Sequence, residues 1–251
     1  LKEALQKLEQ SQQELSDALS KEKQLNEIKS RFVSMASHEF RTPLSAVLSS
    51  ASLLAKYTGA EEQEKRDKHI GRIKGSVKHL NDILEDFLSL GRLDEGRVQS
   101  SPASFNLHDE INDVLSEMKF FIKDGQQFSF TYNGAETVEA DKKLVRNIVI
   151  NLLSNAIKFS KENDTITIAV NVSATETILT VKDPGIGISE EDKEHLFSSF
   201  FRGTNASNIQ GTGLGLHIVK RYIDILGGEI QLESRLNEGT SVRLIFPSQH
   251  N

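Results

Sequence analysis

The stretch NLLSNAIKFS, residues 151–160, decides what kind of fold the second half of this chain adopts. Its polar residues Asn151, Asn155 and Lys158 are spaced by four and seven, so they share one face of a helix, whereas the neighbouring residues are mostly apolar. We expect this helix to run from Asp141 to Phe159. An amide oxygen can ligate Mg²⁺ and a lysine can neutralise phosphate, so the polar face predicts a site for a phosphorylated ligand.

Three glycine-containing segments follow this helix along the chain. DPGIG, residues 183–187, comes after a predicted strand and offers one carboxylate and two glycines that let a ligand approach the backbone. GTGLGL, residues 211–216, opens a predicted helix, whose first N–H groups favour phosphate, and GT, residues 239–240, precedes the last strand. The spacing is neither the dinucleotide fingerprint nor the P-loop. Each segment alone is typical of an ordinary turn, but together and in this order they predict a nucleotide site.

The rest of the second half alternates between helix and strand patterns. Further helices are predicted over Leu107–Ile122 and Gly213–Leu226, and strands over Gln127–Tyr132, Thr165–Val172, Thr177–Lys182, Glu229–Ser234 and Ser241–Phe246. Residues 189–211 form a long polar connection with little periodicity, which is typical of a lid. Gly96 and Ser100-Ser101-Pro102 predict a hinge before this half of the chain.

A histidine in FVSMASHEFRTPL, residues 32–44, lies on the polar side of its predicted helix. The apolar positions of this helix form a stripe with spacings of three, four or seven: Val33, Phe40, Leu44, Val47, Ala51 and Leu54. At about 100° per residue, His38 lies about 150° from the centre of that stripe. Thr42 shares the outward face and Glu39 is adjacent. We therefore expect an exposed imidazole with an acidic neighbour, arranged to react with a group that arrives from solvent.

Two long helices are predicted in the first half of the chain, over residues 31–58 and 62–95, with a break at Thr58-Gly59-Ala60. Pro43 should interrupt the first helix and loosen the carbonyl of Glu39, four residues back. The second helix has its own apolar seam: Ile70, Ile73, Val77, Leu80, Leu84 and Phe87. Two helices with one seam each cannot enclose a core, so we predict an antiparallel hairpin that forms a four-helix bundle in a homodimer, with His38 outside.

The first thirty residues predict a coiled coil, because Leu1, Leu5, Leu8, Leu15 and Leu19 fit a heptad with Gln12 at one core position. The apolar phase then shifts to a stripe of Leu25, Ile28, Phe32 and Met35. A rotated stripe in a continuous helix is compatible with transmitted torque, and an imperfect heptad without function explains it equally well.

Composition excludes several classes of function. A formal charge of −6 and a pI near 5.7 argue against binding to nucleic acid or to an anionic membrane surface. The chain has no cysteine, which excludes disulfides, thiol catalysis and cysteine-bound zinc and is compatible with a cytoplasmic location. No apolar run reaches the roughly 20 residues of a membrane span. Because Leu1 lies within a helical pattern, we expect the chain to be part of a longer protein.

Five sequence boxes resemble those of sensor histidine kinases of two-component systems. HEFRTPL at residues 38–44 resembles their phosphoacceptor box, and NLLSNAIKFS at residues 151–160 their asparagine box. DPGIG at residues 183–187 and GTGLGL at residues 211–216 match the two glycine boxes, with the phenylalanine box Phe197–Arg202 between them. The resemblance covers residues 30 to 247 and implies an α + α/β chain, in which a dimeric helical bundle is followed by an α/β sandwich of the gyrase, Hsp90 and histidine kinase type.

The resemblance also implies domain boundaries and residue roles. A signalling coiled coil would occupy residues 1–30, a dimerisation and phosphotransfer domain 31–97, a linker 98–104 and an ATP-binding domain 105–248. His38, Glu39 and Thr42 would be catalytic, Asn155 would bind Mg²⁺, Lys158 the phosphates and Asp183 the adenine amine. Phe159 would lie against adenine, Thr240 would close the pocket, and residues 189–211 would be the lid. The remaining residues expected to bind ATP are Asn151, Gly185, Gly187, Arg202, Gly211, Thr212, Gly213, Leu214, Gly215 and Leu216. Pro184 departs from the small or polar residue usual in the family, but both glycines remain.

The leading hypothesis is an ATP-dependent autokinase that phosphorylates His38 and passes the phosphoryl group to an aspartate of a response regulator receiver domain. Because Thr42 lies one turn beyond His38, we also expect phosphatase activity towards that regulator. The second hypothesis is an ATPase or ATP-driven clamp of the same fold. Such enzymes carry a water-activating glutamate four residues before the Mg²⁺ asparagine, where this chain has Asn151, which cannot act as a base. The third is a dimeric scaffold with a degenerate pocket.

The sequence names neither the input signal nor the cognate regulator. The resemblance includes no sensor domain within this chain, so we expect the parent protein to carry one N-terminal to it or to be attached to a membrane, with this portion at the cytoplasmic face.

Overall fold

The computed structural model describes the backbone of residues 2–206, 209 and 211–248, and for most of residues 2–32 the backbone alone. The chain divides into two compact units, Leu1–Ile83 and Leu84–Asn251. No helix in the described ranges combines the length and the apolar character that crossing a membrane requires.

Two long helices carry the first unit. Helix α1 spans Lys2–Leu54, a 3-10 turn covers Ala60–Glu62, and α2 spans Gln63–Asp94, with its last eleven residues, 84–94, in the second unit. The Arg66 guanidinium fixes the connection between them, because its Nη1 donates hydrogen bonds to the carbonyl oxygens of Tyr57 (3.1 Å) and Gly59 (2.7 Å). The predicted pair of helices with a break near Gly59 is therefore confirmed.

The predicted interruption at Pro43 is wrong, because α1 continues through this residue. Proline removes one backbone hydrogen bond, at a cost of about 3 kcal/mol, whereas the flanking turns keep theirs. Pro43 is also buried within its unit. The helical turns on both sides and the burial of the ring together outweigh the local cost.

The predicted apolar seams are only half covered in one copy of the chain. Among the described side chains of α1, Glu39, Pro43 and Ser50 are buried, whereas Val33 and Leu44 of the predicted stripe are 56% and 54% exposed. On α2, Ile83 is buried, whereas an apolar row repeated every seven residues stays exposed: Ile70, Val77 and Leu84. A single neighbouring helix covers only one strip of each surface, so the rest of each apolar face remains open.

The proposed coiled coil at residues 1–30 lies mostly outside the described side chains. Its backbone is helical from Lys2, and Leu15 and Leu19 are 71% and 51% exposed. The other heptad leucines and the rotated stripe of residues 25–35 fall on side chains outside the described set.

The second unit is a mixed sheet covered by helices. A two-stranded antiparallel sheet pairs β1 (Ala103–Asn106) with β3 (Thr137–Ala140). The strands of the larger sheet are β2 (Gln127–Gly134), β4 (Thr165–Val172), β5 (Glu176–Asp183), β6 (Glu229–Arg235) and β7 (Gly239–Pro247). They lie in the order β2-β4-β5-β7-β6, with β2 parallel to β4 and the other pairs antiparallel.

Three helices complete the core of this unit: α3 (Leu107–Met118), α4 (Lys142–Phe159) and α6 (Gly215–Ile225), with a short α5 (Glu190–Lys193) between α4 and α6. Alternate residues of the central strands are fully buried, among them Ile166, Ile168 and Leu179, and α4 contacts α3, α6 and β5. Asp141 caps α4 by accepting from the N–H groups of Lys143 and Leu144. The α + α/β fold class is thus confirmed.

The element predictions differ from the structure at several element ends and in two short strands. Helix α3 ends at Met118 rather than at Ile122, and α6 begins at Gly215 rather than at Gly213. Strands β1 and β3, each four residues long, were not predicted, because so few residues give no clear alternation. They form because each strand supplies backbone hydrogen bonds to the other, although the paired residues are 31 to 37 positions apart in the sequence.

Candidate functional site

The polar face of α4 lies against the glycine-rich start of α6. A Cβ atom placed on Gly215 would stand 3.2 Å from Asn151 Oδ1 and 3.5 Å from Asn155 Nδ2, and one on Gly211 would collide with Lys158 Nζ. Two segments about sixty residues apart in sequence therefore meet at this point. The glycines leave room for backbone or ligand where a side chain would fill the space.

The C-terminal end of α4 is held by two side chains that the sequence patterns did not identify. Lys123 Nζ donates to the carbonyl oxygens of Lys158 (2.9 Å) and Ser160, and buried Gln126 Nε2 donates to Lys161 O (2.8 Å). These bonds satisfy carbonyls that a helix end otherwise leaves unpaired. They fix the turn from which Lys158 extends, with its Nζ 4.9 Å from the centre of the Phe159 ring.

Asp183 ends β5 in the register of the strand's buried residues, so its carboxylate faces the covered side of the sheet. Its Oδ1 accepts a hydrogen bond from the Gly185 N–H (2.9 Å). Burial raises the pKa of Asp183 to about 6 from an ordinary 3.8, although hydrogen bonds from the backbone of Gly185 and Thr240 oppose the shift and the charge of Asp164 adds to it. The site therefore contains an acceptor that is ionised at neutral pH and protonated in mild acid.

The loop after Asp183 packs directly on the end of α4. Ile186 N–H donates to Phe159 O (3.3 Å), and a Cβ on Gly185 would stand 2.6 Å from that carbonyl oxygen. Gly187 has a φ of 64°, and a Cβ there would collide with Arg235 O. Both glycines are required by close backbone approach, so the loop stays next to Phe159.

Hydrogen bonds of Thr212 hold the start of the second glycine segment, residues 211–216, in place within the second unit. Its hydroxyl donates to Asp86 Oδ2 (2.7 Å) and accepts from Leu214 N–H (3.2 Å), and both Thr212 and Leu214 are buried. Gly213 has a φ of 71° and lies against the backbone of Phe201. Leu216 is half-buried in the first turn of α6. These contacts thus hold the backbone of the segment in place on both sides of Gly213.

Arg202 organises the connection at residues 189–211. Its Nη2 donates to the carbonyl oxygens of Ala206 (3.2 Å) and Ile209 (2.7 Å), and Asn205 Nδ2 donates to Gly187 O (2.9 Å). Asp192 is buried and accepts from the Thr204 N–H (2.9 Å). These bonds tie the connection to the Gly187 loop, and the ligand role of Arg202 stays a prediction.

Thr240 lies beside Asp183 and is bonded to a residue that the sequence patterns did not identify. Asp183 and Thr240 are directly paired across β5 and β7, and Thr240 and Ser234 across β7 and β6. The Ser234 and Thr240 hydroxyl oxygens are 2.9 Å apart, and Ser234 is buried. The short turn between Ser234 and Thr240, if taken as a hairpin, could have suggested this pairing from the sequence.

His38 lies in the first unit and is described there by itself. Its side chain is 76% exposed, as predicted from its helical phase, and its Nδ1 stands 3.6 Å from Glu39 Oε1. The Glu39 side chain is only 9% exposed, so the acidic neighbour reaches inwards rather than into solvent. Thr42 is exposed, and its hydroxyl lies 3.5 Å from His38 O.

The residues around α4 fit a phosphorylated nucleotide with its cation better than a metal held by protein alone. Among the described residues there is no group of three or more His, Cys, Asp or Glu side chains that could hold a metal ion. Mg²⁺ in nucleotide sites is typically bound by one or two protein oxygens and by the phosphates. The Asn155 amide can supply one oxygen, Lys158 a positive charge, and the Gly211 and Gly215 backbone the open space.

Two family models match the chain. Residues 28–96 match the His Kinase A (phospho-acceptor) domain, and residues 140–250 match the family described as histidine kinase-, DNA gyrase B-, and HSP90-like ATPase. The first match contains His38 and the second contains the polar face of α4, Asp183 and Thr240.

Curated relatives and solved structures similar to this chain are likewise histidine kinases. The chain is 32% identical over 243 residues to the circadian input-output histidine kinase CikA of Synechococcus elongatus, which covers 94% of this chain and 32% of that protein. The catalytic domain of histidine kinase ThkA is 35% identical with a TM-score of 0.53, covering 59% of this chain and 97% of that one. ThkA in complex with the response regulator protein TrrA is 26% identical with a TM-score of 0.64, covering 87% and 61%. The chain spans about a third of the length of curated relatives such as CikA.

Proposed function

Because the chain belongs to the histidine kinase family, we propose that it uses ATP to phosphorylate its own His38 and then transfers the phosphoryl group to an aspartate of a response regulator. One observation carries the proposal: an exposed histidine paired with a buried carboxylate occurs in the same chain as a nucleotide-type pocket. An exposed imidazole is accessible to a phosphate donor, and the pocket is suited to hold that donor.

The arrangement of His38 favours attack by its Nε2 atom. Glu39 stands next to Nδ1, so it favours the ring form that carries its proton on Nδ1 and leaves the lone pair on Nε2. Nε2 would form a bond to the γ-phosphorus while the bond from that phosphorus to the ADP oxygen breaks. The Nδ1 proton would then be shared with or passed to Glu39, which balances the charge on the ring.

The pocket residues would orient the nucleotide. The Asp183 carboxylate is an acceptor suited to the adenine amine, and Lys158 is suited to the phosphates. Asn155 would hold Mg²⁺, which supplies charge neutralisation on the phosphates when bound. Phe159 offers an apolar surface for the base, and residues 189–211 would act as the lid.

Hydrolysis of ATP as the main activity is the weaker alternative. A water-activating base is needed for it, and Asn151 is a neutral amide whose Nδ2 donates to Asn147 O (2.9 Å). Its remaining oxygen can accept a hydrogen bond but cannot take a proton at neutral pH. A scaffold without catalysis is less favoured still, because the polar groups expected of the pocket are present.

A second copy of the chain is the proposed partner of the helical unit. The exposed residues Ile70 and Val77 on α2, together with Leu44 and Leu48 on α1, would cost free energy if left in water. Leu44 and Leu48 also line a shallow groove on α1 with Ser37, Phe40, Arg41 and Ser45. Burial of these rows between two copies would complete a four-helix bundle.

The experiment is incubation with ATP labelled at the γ-phosphate, followed by acid and alkali treatment of the protein. We expect label that is lost in acid and retained in alkali, and none on His38→Gln. The matched control is His108→Gln, because His108 also precedes an acid and its Nδ1 stands 3.6 Å from Asp109 Oδ1. Label that persists in His38→Gln would contradict the assignment, and equal labelling of Asn155→Ala and wild type would contradict the pocket.

A further inference from the structure

Three polar side chains form a row across the end of the sheet, and together they determine which hydrogens face the pocket. Asp183 on β5 pairs with Thr240 on β7, and Thr240 pairs with Ser234 on β6. Directly paired residues project from the same face of a sheet. The row therefore lies on the face that carries the buried residues of β5, where the proposed nucleotide site is.

The hydrogen bonds of Ser234 fix the direction of every hydroxyl in the row. Ser234 Oγ lies 2.8 Å from Gly239 O, and a carbonyl oxygen can only accept, so the single Ser234 hydrogen is used there. Ser234 Oγ also lies 2.9 Å from Thr240 Oγ1. With its own hydrogen committed, Ser234 can only accept in this second bond, so the Thr240 hydroxyl must donate to it.

The consequence is that Thr240 presents lone pairs and no hydrogen to the pocket. Asp183, when ionised, also only accepts. The end of the pocket is thus lined by two neighbouring acceptors. An acceptor pair favours a purine that carries an amino group at this position and disfavours one that carries a carbonyl oxygen, because two acceptors cannot share a hydrogen bond.

We propose that Ser234 is a positioning residue for base selection, which acts by orienting the Thr240 hydroxyl so that the pocket prefers adenine over a 6-oxopurine. This role rests on the proposed function, since it assumes that the nucleotide binds beside Asp183. Ser234 itself is buried and does not need to touch the ligand.

The test compares the affinities of the full chain for ATP and ITP by calorimetry, because ITP replaces the 6-amino group with an oxygen. In Ser234→Ala, the Thr240 hydroxyl can rotate and donate, so ITP binding should improve relative to ATP, and the ATP-to-ITP preference should fall about fivefold to tenfold. Ser234→Thr retains a hydroxyl and should keep the wild-type preference.

The control variants separate positioning from stability. Ser241→Ala makes the same chemical change at the next residue of β7, which projects from the opposite face, and should leave the preference unchanged. In a Thr240→Val background, Ser234→Ala should have no further effect on the preference for ATP over ITP, because valine has no hydroxyl for Ser234 to orient.

Two results would overturn the role of Ser234. One is an equal loss of ATP and ITP affinity in Ser234→Ala, as a purely structural residue would give. The other is a change of preference that persists in the Thr240→Val background. A wild-type chain that binds neither nucleotide would instead contradict the proposed function, and the role of Ser234 with it.

Discussion

The α/β unit covers most of its apolar residues with its own elements, whereas the helical unit leaves a larger share of them exposed. In the α/β unit, Leu153 of α4 and Ile168 of β4 are each 0% exposed. In the helical unit, Val77 of α2 is 46% exposed and Leu44 of α1 is 54% exposed. All four belong to regular apolar patterns, so the pattern alone does not reveal whether one copy suffices. One chain therefore suffices to bury most of the α/β core, whereas the exposed helical residues are the ones that the proposed dimer would cover.

The largest effect is expected from a charge in the self-sufficient core. Leu153→Asp removes a fully buried side chain and introduces a carboxylate with no partner, which should cost more than about 5 kcal/mol and exceed much of the stability of the unit. Thermal unfolding followed by circular dichroism should show loss of the α/β transition, and ATP binding should disappear. A folded variant with wild-type ATP affinity would contradict the proposed core.

The same charge on α2 should spare the fold and break the dimer. Val77→Asp alters a residue exposed in one copy, so each chain should stay folded, but the dissociation constant of the dimer should rise by about 100-fold or more, since two valines are affected. Analytical ultracentrifugation measures this. Gly71→Asp is the matched control, because a side chain there meets nothing within 4 Å. Equal dissociation of both variants, or a monomeric wild type at micromolar concentration, would exclude the proposed interface.

The stability of the α/β unit should depend on the ionisation of Asp183. Because burial raises the pKa of Asp183 to about 6 from 3.8, the folded state binds a proton more tightly than the unfolded chain. The resulting stabilisation, up to about 3 kcal/mol, is complete below pH about 4 and is lost as pH rises through about 6. Urea unfolding of the nucleotide-free chain should show this dependence in wild type and not in Asp183→Asn, which should also be the more stable at pH 7.

ATP affinity should depend on pH in the opposite direction to the stability of the nucleotide-free unit. In the proposed function the ionised Asp183 carboxylate would recognise ATP, so ATP affinity should fall as pH drops below about 6, and Asp183→Asn should bind weakly at every pH. Asp224→Asn on α6 serves as control, because this carboxylate is exposed. For the unfolding experiment, if Asp183→Asn kept the wild-type dependence of stability on pH, the group responsible for that dependence would be a residue other than Asp183.

The smallest effect should come from an exposed hydroxyl in the helical unit. Thr42→Ala leaves the folds of both units unchanged, because Thr42 is exposed and its bond to His38 O is long at 3.5 Å. We expect autophosphorylation and transfer to remain and dephosphorylation of the regulator to slow by about tenfold, because the hydroxyl no longer orients the attacking water. Equal phosphatase rates would remove that activity from the proposal and leave the kinase intact.

Periodicity predicted most elements of the α/β unit because their patterns are local. The alternation in β4 and the apolar face of α4 appear within eight to eighteen residues, and both elements were predicted to within one residue. Strands β1 and β3 were not predicted because the partner of each lies more than 30 residues away in the sequence. Pro43 shows that local reasoning can also mislead. The energetic cost of a proline inside a helix led to a predicted break there, but α1 continues through this residue.

The sequence motifs predicted which residues belong to the candidate site, but not which other residues hold them in place. The motifs identified Asp183, Asn155 and Thr240, which have chemically distinctive neighbours in sequence. Lys123 and Ser234 carry no such signal: the first supports α4 from 35 residues away, and the second becomes relevant only through the register of β6 and β7. Likewise the sequence placed Glu39 beside His38, but its burial became evident only in the folded helix.

Helical phase and strand alternation are set by neighbours a few residues apart, so the face of an element on which a side chain lies can be predicted from the sequence. His38 is exposed for this reason. Which polar groups meet depends instead on the tertiary fold: Asp183, Thr240 and Ser234 come from three strands, and Gly215 approaches Asn155 from another helix. The physical reason is that strand register and helix packing depend on the burial of distant apolar surfaces, and local pattern does not encode which of those surfaces are paired.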